Sequence, residues 1–145
     1  MCMFSLISWG AVGLGVLVSI VLGSIWFGPL FGKKWMTLMG MNPNDTVKIE
    51  EGKKQMWKMY VIQMIASAMT VATLSIVVLN FDNFTIGEIV GTSLLMWIGF
   101  VIPSEIGSVL WSGKSYKEMR EIFLLNAGYG LILFVLLGCI VAQVG

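Results

Sequence analysis

The chain has 145 residues, of which 57% are hydrophobic and 12% are charged, and its formal net charge is +1. Soluble domains carry roughly 25% charged residues, so this composition excludes a water-covered globular surface and predicts a membrane protein. The sequence has no histidine, and Cys2 and Cys139 lie near opposite ends, so zinc sites, haem sites and a disulfide framework fit poorly and no cofactor is expected.

Four segments are long and apolar enough to cross the hydrocarbon layer, which takes about 20 helical residues. They cover residues 4–27, 59–81, 86–111 and 122–144, with loops at 28–58 and 112–121. Their apolar runs are continuous and lack the alternation of a β-barrel, so helices are the only structure that fits. The predicted fold is an all-α integral membrane four-helix bundle, a single domain over residues 1–145.

The basic residues are confined to one end of this bundle. The loop 28–58 carries six lysines and the loop 112–121 carries two lysines and an arginine, whereas the connection at 80–85 has neither. The positive-inside rule therefore places both basic loops in the cytoplasm and both termini outside. After a turn at 41–45, residues 49–58 are expected to form a short surface helix. The lysines can also contact anionic membrane lipids, and no nucleic-acid role is indicated.

Small residues recur every four positions along the first span and form a flat stripe where another helix can approach closely. This stripe consists of Ala11, Gly15, Ser19 and Gly23, and the third span has a similar one at Gly99, Pro103 and Gly107. Such stripes either pack the bundle internally or pair two copies of the chain. Internal packing is the favoured interpretation.

Glu105 is the one acidic residue well inside a predicted span, and an ionisable group there is costly enough to suggest a function. At 1.5 Å per residue it lies about 9 Å inside the boundary marked by Trp111. The offsets of Gln63 and Asn126 from their helix ends place them in the same layer. We therefore predict a polar cluster open to the cytoplasm. Its members are Gln63, Ser104, Glu105, Ser108, Asn126 and Tyr129, with Ser24 nearby.

Each part of this cluster has two interpretations. Glu105 either binds a cation or carries a proton, or it is a carboxyl satisfied by Asn126 or by interfacial water, while Pro103 can bend the third span beside it. Asn126 and Tyr129 either bind a ligand or tie the fourth span to the third, and the tie is favoured.

The eleven methionines either hold copper(I) or act as flexible apolar filler, and filler is favoured.

Two stretches of the chain resemble one family. The first is WFGPLFGKKWMTLMG at 26–40, which carries Trp26, Gly28, Pro29, Phe31, Gly32 and Trp35. The second is LLMWIGFVIP at 94–103 with FLLNAGYGLILFVLLGCIV at 123–141, which carries Trp97, Gly99, Phe100, Asn126, Gly128 and Tyr129. Together they resemble the small prokaryotic membrane proteins grouped as domain of unknown function seventeen sixty-one (DUF1761), over nearly the whole chain.

The resemblance implies a four-helix protein in the cytoplasmic membrane of a bacterium or archaeon, and it brings no activity, cofactor or catalytic residue. The family pattern usually has a small or hydroxyl residue near the position of Glu105, so this acid is a departure from it. Within the first motif, Gly28 and Pro29 are expected to end or kink the first helix, and Gly32 to permit a turn.

Three kinds of function remain open from the sequence. The first is a transporter or channel for a small cation or solute that works as a homo-oligomer, because four helices alone leave little room for a pathway. The second is an accessory or scaffold subunit of a larger membrane complex. A membrane enzyme is the poorest fit, since no paired carboxylates, metal-ligand set or activated nucleophile is visible.

Overall fold

A computed structural model describes residues 5, 7–80 and 85–145, and these residues form helices and connections without a strand. The first span consists of α1 (Trp9–Ile25) and a π-helical turn (Trp26–Leu30), and α2 (Gly32–Leu38) follows it. The second span is α3 (Thr46–Leu79). The third comprises α4 (Ile86–Met96), a second π-helical turn (Trp97–Val101) and α5 (Ile102–Leu110), and the fourth is α6 (Tyr116–Val144). Four helical segments are long and apolar enough to cross a membrane, which confirms the predicted all-α fold.

Side-chain caps decide where these helices begin. Asp45 accepts a hydrogen bond from the backbone N–H of Lys48 at 3.2 Å, and Ser8 accepts one from Ala11 at 3.3 Å. Reciprocal capping boxes start the other two long segments, between Thr85 and Glu88 and between Ser115 and Glu118. Each cap satisfies backbone N–H groups that have no partner within the first helical turn.

The second span differs from the sequence prediction. The predicted surface helix over 49–58 and the span beginning at 59 are one continuous helix, α3, which begins at Thr46. The division was wrong because Gly52 alone does not break a helix, and no proline follows it before residue 80. The predicted loop at 28–58 is correspondingly reduced to the residues around α2. The predicted limits at residues 4 and 81, like Cys2, lie outside the described residues.

Two sets of contacts fix which ends of the helices lie together. The Ser8 hydroxyl donates to the carbonyl of Val144 at 3.0 Å, which joins the start of α1 to the end of α6. Lys114 Nζ donates to the carbonyl of Leu38 at 2.6 Å, which joins the two basic loops. We call the first of these the terminal end of the bundle and the second the loop end.

The fourth span, α6, is the central helix. It contacts α1, α3, α4 and α5, whereas the third span barely touches α3. The largest fully buried apolar side chains come from α3 and α6, and they pack in one cluster with Ala11 of α1: Val71, Leu74, Val78, Leu137 and Val141. The outward faces are rich in exposed Leu, Ile, Val and Met, as expected of helices that contact lipid.

The two stripes of small residues have different surroundings. In the first span, Ala11, Gly15 and Ser19 are buried, and a Cβ on Gly15 would lie only 2.6 Å from Cγ2 of Val71. This stripe packs inside the bundle. In the third span, Gly99 and Gly107 have nothing within 4 Å of an added Cβ, so internal packing is wrong for that stripe.

The contact at Gly15 predicts a matched pair of substitutions. Gly15→Ala pushes a methyl group against Val71 and Leu137, and we expect it to destabilise the fold by about 1–3 kcal/mol through overpacking. Gly13→Ala, on the same helix, meets nothing within 4 Å and gains the same helix propensity. Reversible unfolding in detergent, followed by circular dichroism, compares them. Equal stability of the two variants would contradict the packing assigned to α1.

Candidate functional site

The same backbone device interrupts the first and third spans. Trp26 and Trp97 each begin a π-helical turn of sequence Trp-x-Gly, and the carbonyl of each accepts a hydrogen bond from the residue five positions later, Phe31 and Ile102. Pro29 lies inside the first turn, and Pro103 lies in the first turn of α5 after the second. A proline cannot donate to the carbonyl four residues before it, and a π turn absorbs this defect without ending the span.

Both tryptophans pack on the central helix at glycines. Trp26 Nε1 donates to the carbonyl of Leu125 at 3.2 Å, and a Cβ on Gly128 would lie 3.3 Å from its ring. A Cβ on Gly130 would lie 3.0 Å from Nε1 of Trp97, a buried atom that has no hydrogen-bond partner among the described residues. The GYG sequence in α6 therefore provides room for one ring from each neighbouring span.

Gly32 lies at a turn of the chain, as predicted. It is buried at the first position of α2, and a Cβ there would lie 2.7 Å from the carbonyl oxygen of Phe27. The chain does turn here, but Gly32 is itself helical and has no positive φ, so the lack of a side chain rather than backbone freedom permits the turn. The absence of a side chain lets α2 fold back directly beneath the π turn, which places the Trp35 ring 5.8 Å from that of Phe27.

Below this fold of the chain, a cavity of about 390 Å³ lies between the first span, α2 and α3 at the loop end. Pockets for small organic molecules have volumes of about 300–1,000 Å³, so the size is sufficient. Its walls are mainly apolar. The residues that line it are Ser19, Ile20, Gly23, Ser24, Phe27, Gly28, Trp35, Met56, Met59, Tyr60, Gln63 and Tyr129.

The polar groups of the cavity come from three different helices. The Tyr129 hydroxyl of α6 donates to the carbonyl of Ser19 at 3.2 Å, and the Ser19 hydroxyl donates to the carbonyl of Gly15 at 2.7 Å. Gln63 of α3 donates to the hydroxyl of Ser67 at 3.3 Å. An apolar cavity with a few fixed polar groups is the usual form of a small-molecule site.

Gln63 begins a row of small polar residues that runs from the cavity into the core. Ser67 and Ser75 follow on the same face of α3, because positions four apart lie above one another on a helix. Both serines are buried, and the Ser75 hydroxyl finds no hydrogen-bond partner among the described residues. Val71 separates them and closes the row, since it packs on Gly15.

Glu105 and Asn126 form a separate pair on a different face of α6. The Asn126 amide donates to Oε2 of Glu105 at 3.0 Å, and this bond ties α6 to α5. Both residues are partly buried, whereas Ser104 and Ser108 are exposed on the outer face of α5. The structure thus places the Glu105 carboxyl in a helix-to-helix contact.

The structure distributes the predicted polar cluster over these two places. Glu105 and Asn126 meet, but Gln63, Ser24 and Tyr129 line the cavity with other partners. The prediction of a single cluster was wrong because it rested on the depth of each residue in the membrane, and depth does not give the rotation of a helix about its axis. Asn126 and Tyr129 are three residues apart, which turns their side chains about 60° from each other. Asn126 ties α6 to the third span, and Tyr129 ties it to the first.

Sequence reasoning missed the cavity and most of its wall. The sequence predicted Trp35 as a motif position and the methionines as apolar filler, yet Trp35, Met56 and Met59 share one cavity with Phe27 and Tyr60. Their spacing on α3 held a signal, since positions 56, 59, 60 and 63 form one helical face. Among the described residues, no group of three or more His, Cys, Asp or Glu is placed to hold a metal ion.

The contact between Glu105 and Asn126 predicts a measurable coupling. In a double-mutant cycle of Glu105→Ala and Asn126→Ala, we expect a coupling free energy of about 0.5–2 kcal/mol, the range of interhelical hydrogen bonds in membranes. Detergent unfolding of the four proteins gives the value. Glu105→Gln is the control, since its amide keeps an oxygen for Asn126 and should retain most of the stability. A coupling near zero would contradict a tie at this position.

The comparison with known proteins agrees with this arrangement. Residues 10–142 match the family model described as protein of unknown function (DUF1761), so the match includes both Trp-x-Gly turns and the GYG sequence of α6. No curated protein and no solved structure matches the chain. Because the match covers nearly the whole sequence, the chain belongs to the DUF1761 family, which confirms the resemblance carried by its two motifs.

Proposed function

We propose that this protein is a small membrane transporter that takes up an organic solute in the cavity at its loop end and works as a homo-oligomer. This proposal rests on a cavity and a row of polar residues that lie next to each other. A cavity large enough for a small organic molecule lies between the first span, α2 and α3, and a row of buried polar residues continues from it along α3.

The distribution of charge supports an orientation for this transporter. Every lysine and arginine lies at the loop end, where Lys114 and Leu38 join the two basic loops, and none lies in the connection 80–85 or at the termini. By the positive-inside rule the loop end is cytoplasmic and both termini are outside. The cavity would then open at the cytoplasmic face of the cell membrane of a bacterium or archaeon.

The closure at Val71 supports a gated pathway. On the cavity side of Val71 lie Gln63 and Ser67, and beyond it lies Ser75, whose unpartnered hydroxyl has the chemistry to receive a polar group. A solute that leaves the cavity for the terminal end would have to part α1 from α3 at this point. The π turn at Trp26–Leu30 lies directly above the cavity, and π turns are frequent at functional sites in helices.

The outer face of α5 supports an oligomer. Gly99, Pro103 and Gly107 leave open space along it, and Ser104 and Ser108 expose hydroxyl groups there. Small and hydroxyl residues on an exposed transmembrane face are the features that let two helices approach and bond. A second copy is the proposed neighbour. The same face also suits a foreign subunit, which is the observation that favours the alternative of an accessory protein.

Transport predicts a loss of function at Gln63. We expect proteoliposomes to release a trapped small organic dye faster than protein-free liposomes, with ethidium, carboxyfluorescein and an uncharged coumarin as the three charge classes. Gln63→Leu removes the amide at the start of the polar row and should reduce the faster release at least fivefold. Gln143→Leu, an exposed glutamine at the terminal end, is the matched control. Release no faster than from protein-free liposomes for all three dyes would contradict transport.

The oligomer predicts a cross-link on α5. In a background of Cys2→Ser and Cys139→Ser, we expect Ser108→Cys to form a disulfide-linked dimer when isolated membranes are treated with an added oxidant, copper phenanthroline, because its side chain lies on the proposed contact face. Thr73→Cys, exposed on α3, should remain monomeric. Mass measurement of the complex in mild detergent gives the second readout. A co-purifying foreign subunit with no second copy would favour the accessory function instead.

A further inference from the structure

We propose that the cavity at the loop end binds a lipophilic organic cation, held by aromatic faces and oxygen lone pairs and without a carboxylate. This inference names the solute class of the proposed transporter. That the cation is transported rests on the proposed function, whereas that it binds in the cavity can be tested by itself. Four observations carry it: the rings in the walls, the use of the hydrogen-bond donors, the lack of charge in the lining and the position of the lysines.

Aromatic rings form a large part of the walls. Four enter the cavity, each from a different element, namely Phe27 of the first span, Trp35 of α2, Tyr60 of α3 and Tyr129 of α6. Phe27 lies in the middle of this set, with its ring centroid 5.8 Å from that of Trp35 and 5.3 Å from that of Tyr129. The face of an aromatic ring carries partial negative charge, and several rings around one space attract a cation.

Sulfur atoms complete the apolar wall on α3. Met56 and Met59 line the cavity beside Tyr60, on the helical face that ends at Gln63. The thioether is polarisable and its chain is flexible, so it can adapt to solutes of different shape. A wall of this kind suits an organic ion with a broad apolar surface better than a small inorganic ion.

The fixed hydroxyl hydrogens of the cavity are already used within the protein. Tyr129 donates its hydroxyl hydrogen to the carbonyl of Ser19, and Ser19 donates its own to the carbonyl of Gly15. Gln63 donates one amide hydrogen to Ser67. A hydroxyl that donates in one direction keeps its oxygen lone pairs for other partners. At Tyr129 and Ser19 the atoms left for a ligand are therefore oxygen lone pairs, which favour a positively charged ligand over an anion.

None of the described residues that line the cavity is charged. A compact cation such as an alkali ion or a primary ammonium would lose strong hydration here and receive no carboxylate in return, and that loss is large in an apolar space. A delocalised or shielded cation is weakly hydrated and loses less. The lack of an acid in the lining thus selects lipophilic cations from among cations generally.

The lysines of the loop end do not reverse this preference. Lys53, Lys54 and Lys58 are exposed on α3, and none of them lines the cavity. Glu50 and Glu51 lie on the same helical segment and offset part of their charge. Between exposed charges, physiological salt screens the interaction over about 8 Å, whereas the rings act on a bound ligand at contact distance.

The test compares two ions of nearly equal size and opposite charge, tetraphenylphosphonium and tetraphenylborate. Equilibrium binding to the full chain in a mild nonionic detergent is measured with radiolabelled phosphonium, and the borate is measured by competition and by calorimetry. We expect saturable binding of one phosphonium per chain, at least tenfold tighter than the borate. Equal or tighter binding of the borate would overturn the inference in favour of an anion site, and the absence of saturable binding would overturn it altogether.

Variants locate the bound ion. Trp35→Leu and Tyr60→Leu each remove a ring from the wall and should weaken phosphonium binding about tenfold, while Trp111→Leu, exposed and outside the cavity, should leave it unchanged. Tyr129→Phe keeps the ring and loses only the bond to Ser19, so it should bind within about threefold of the parent. Elution volume and helical content confirm that each variant is folded. Unchanged binding in both leucine variants of the wall would place the ion elsewhere and refute the proposed site.

Binding and transport fail independently in these experiments. Phosphonium binding without faster dye release from proteoliposomes would leave the cation site intact and remove the proposed transport. Faster release of the uncharged or anionic dye, with no phosphonium binding, would leave the proposed transport intact and remove the cation site.

Discussion

The close approach of the two Trp-x-Gly turns to α6 is the constraint on which the rest of the bundle depends. Inside a bilayer the lipid is as apolar as the side chains, so helices are held by tight contact and by hydrogen bonds rather than by exclusion of water. Gly128 and Gly130 let Trp26 and Trp97 lie against the central helix. Because Tyr129 lies between these two glycines, its hydroxyl is set against the first span at a fixed depth.

The cavity follows from this contact together with Gly32. The π turn widens the first span just where Trp26 is held, and Gly32 lets α2 turn back beneath Phe27. Gly23 and Gly28 have no side chain to fill the space between the turn, α2 and α3. A straight α-helix followed by an ordinary loop would bring α1 and α3 together along their whole length. The geometry of the contact between Trp26 and α6 thus leaves an opening next to it.

The sequence predicted the features that depend on composition along the chain. Span number, the confinement of charge to one end and the small-residue packing at Gly15 all follow from local pattern, and the structure agrees with each. Features that depend on helix rotation could not be predicted in this way. Asn126 and Tyr129 lie at similar depth, but only tertiary packing decides that one faces α5 and the other faces α1. The cavity is harder still to predict from the sequence, because its walls come from four separate elements of the chain.

The Glu105 carboxyl is an ionisable group within a predicted span, so its partners decide how it is stabilised there. A carboxyl about 9 Å inside the membrane boundary must be neutral, paired or hydrated. The Asn126 amide supplies one hydrogen bond, which leaves other carboxyl lone pairs in need of partners. Ser104 and Ser108 flank it on an exposed face that has room for another helix. In the proposed oligomer, a second helix on that face would shield the carboxyl from lipid and bring hydroxyls near it. The proposed solute cavity contacts a different face of α6, at Tyr129, and would be separate from that assembly contact.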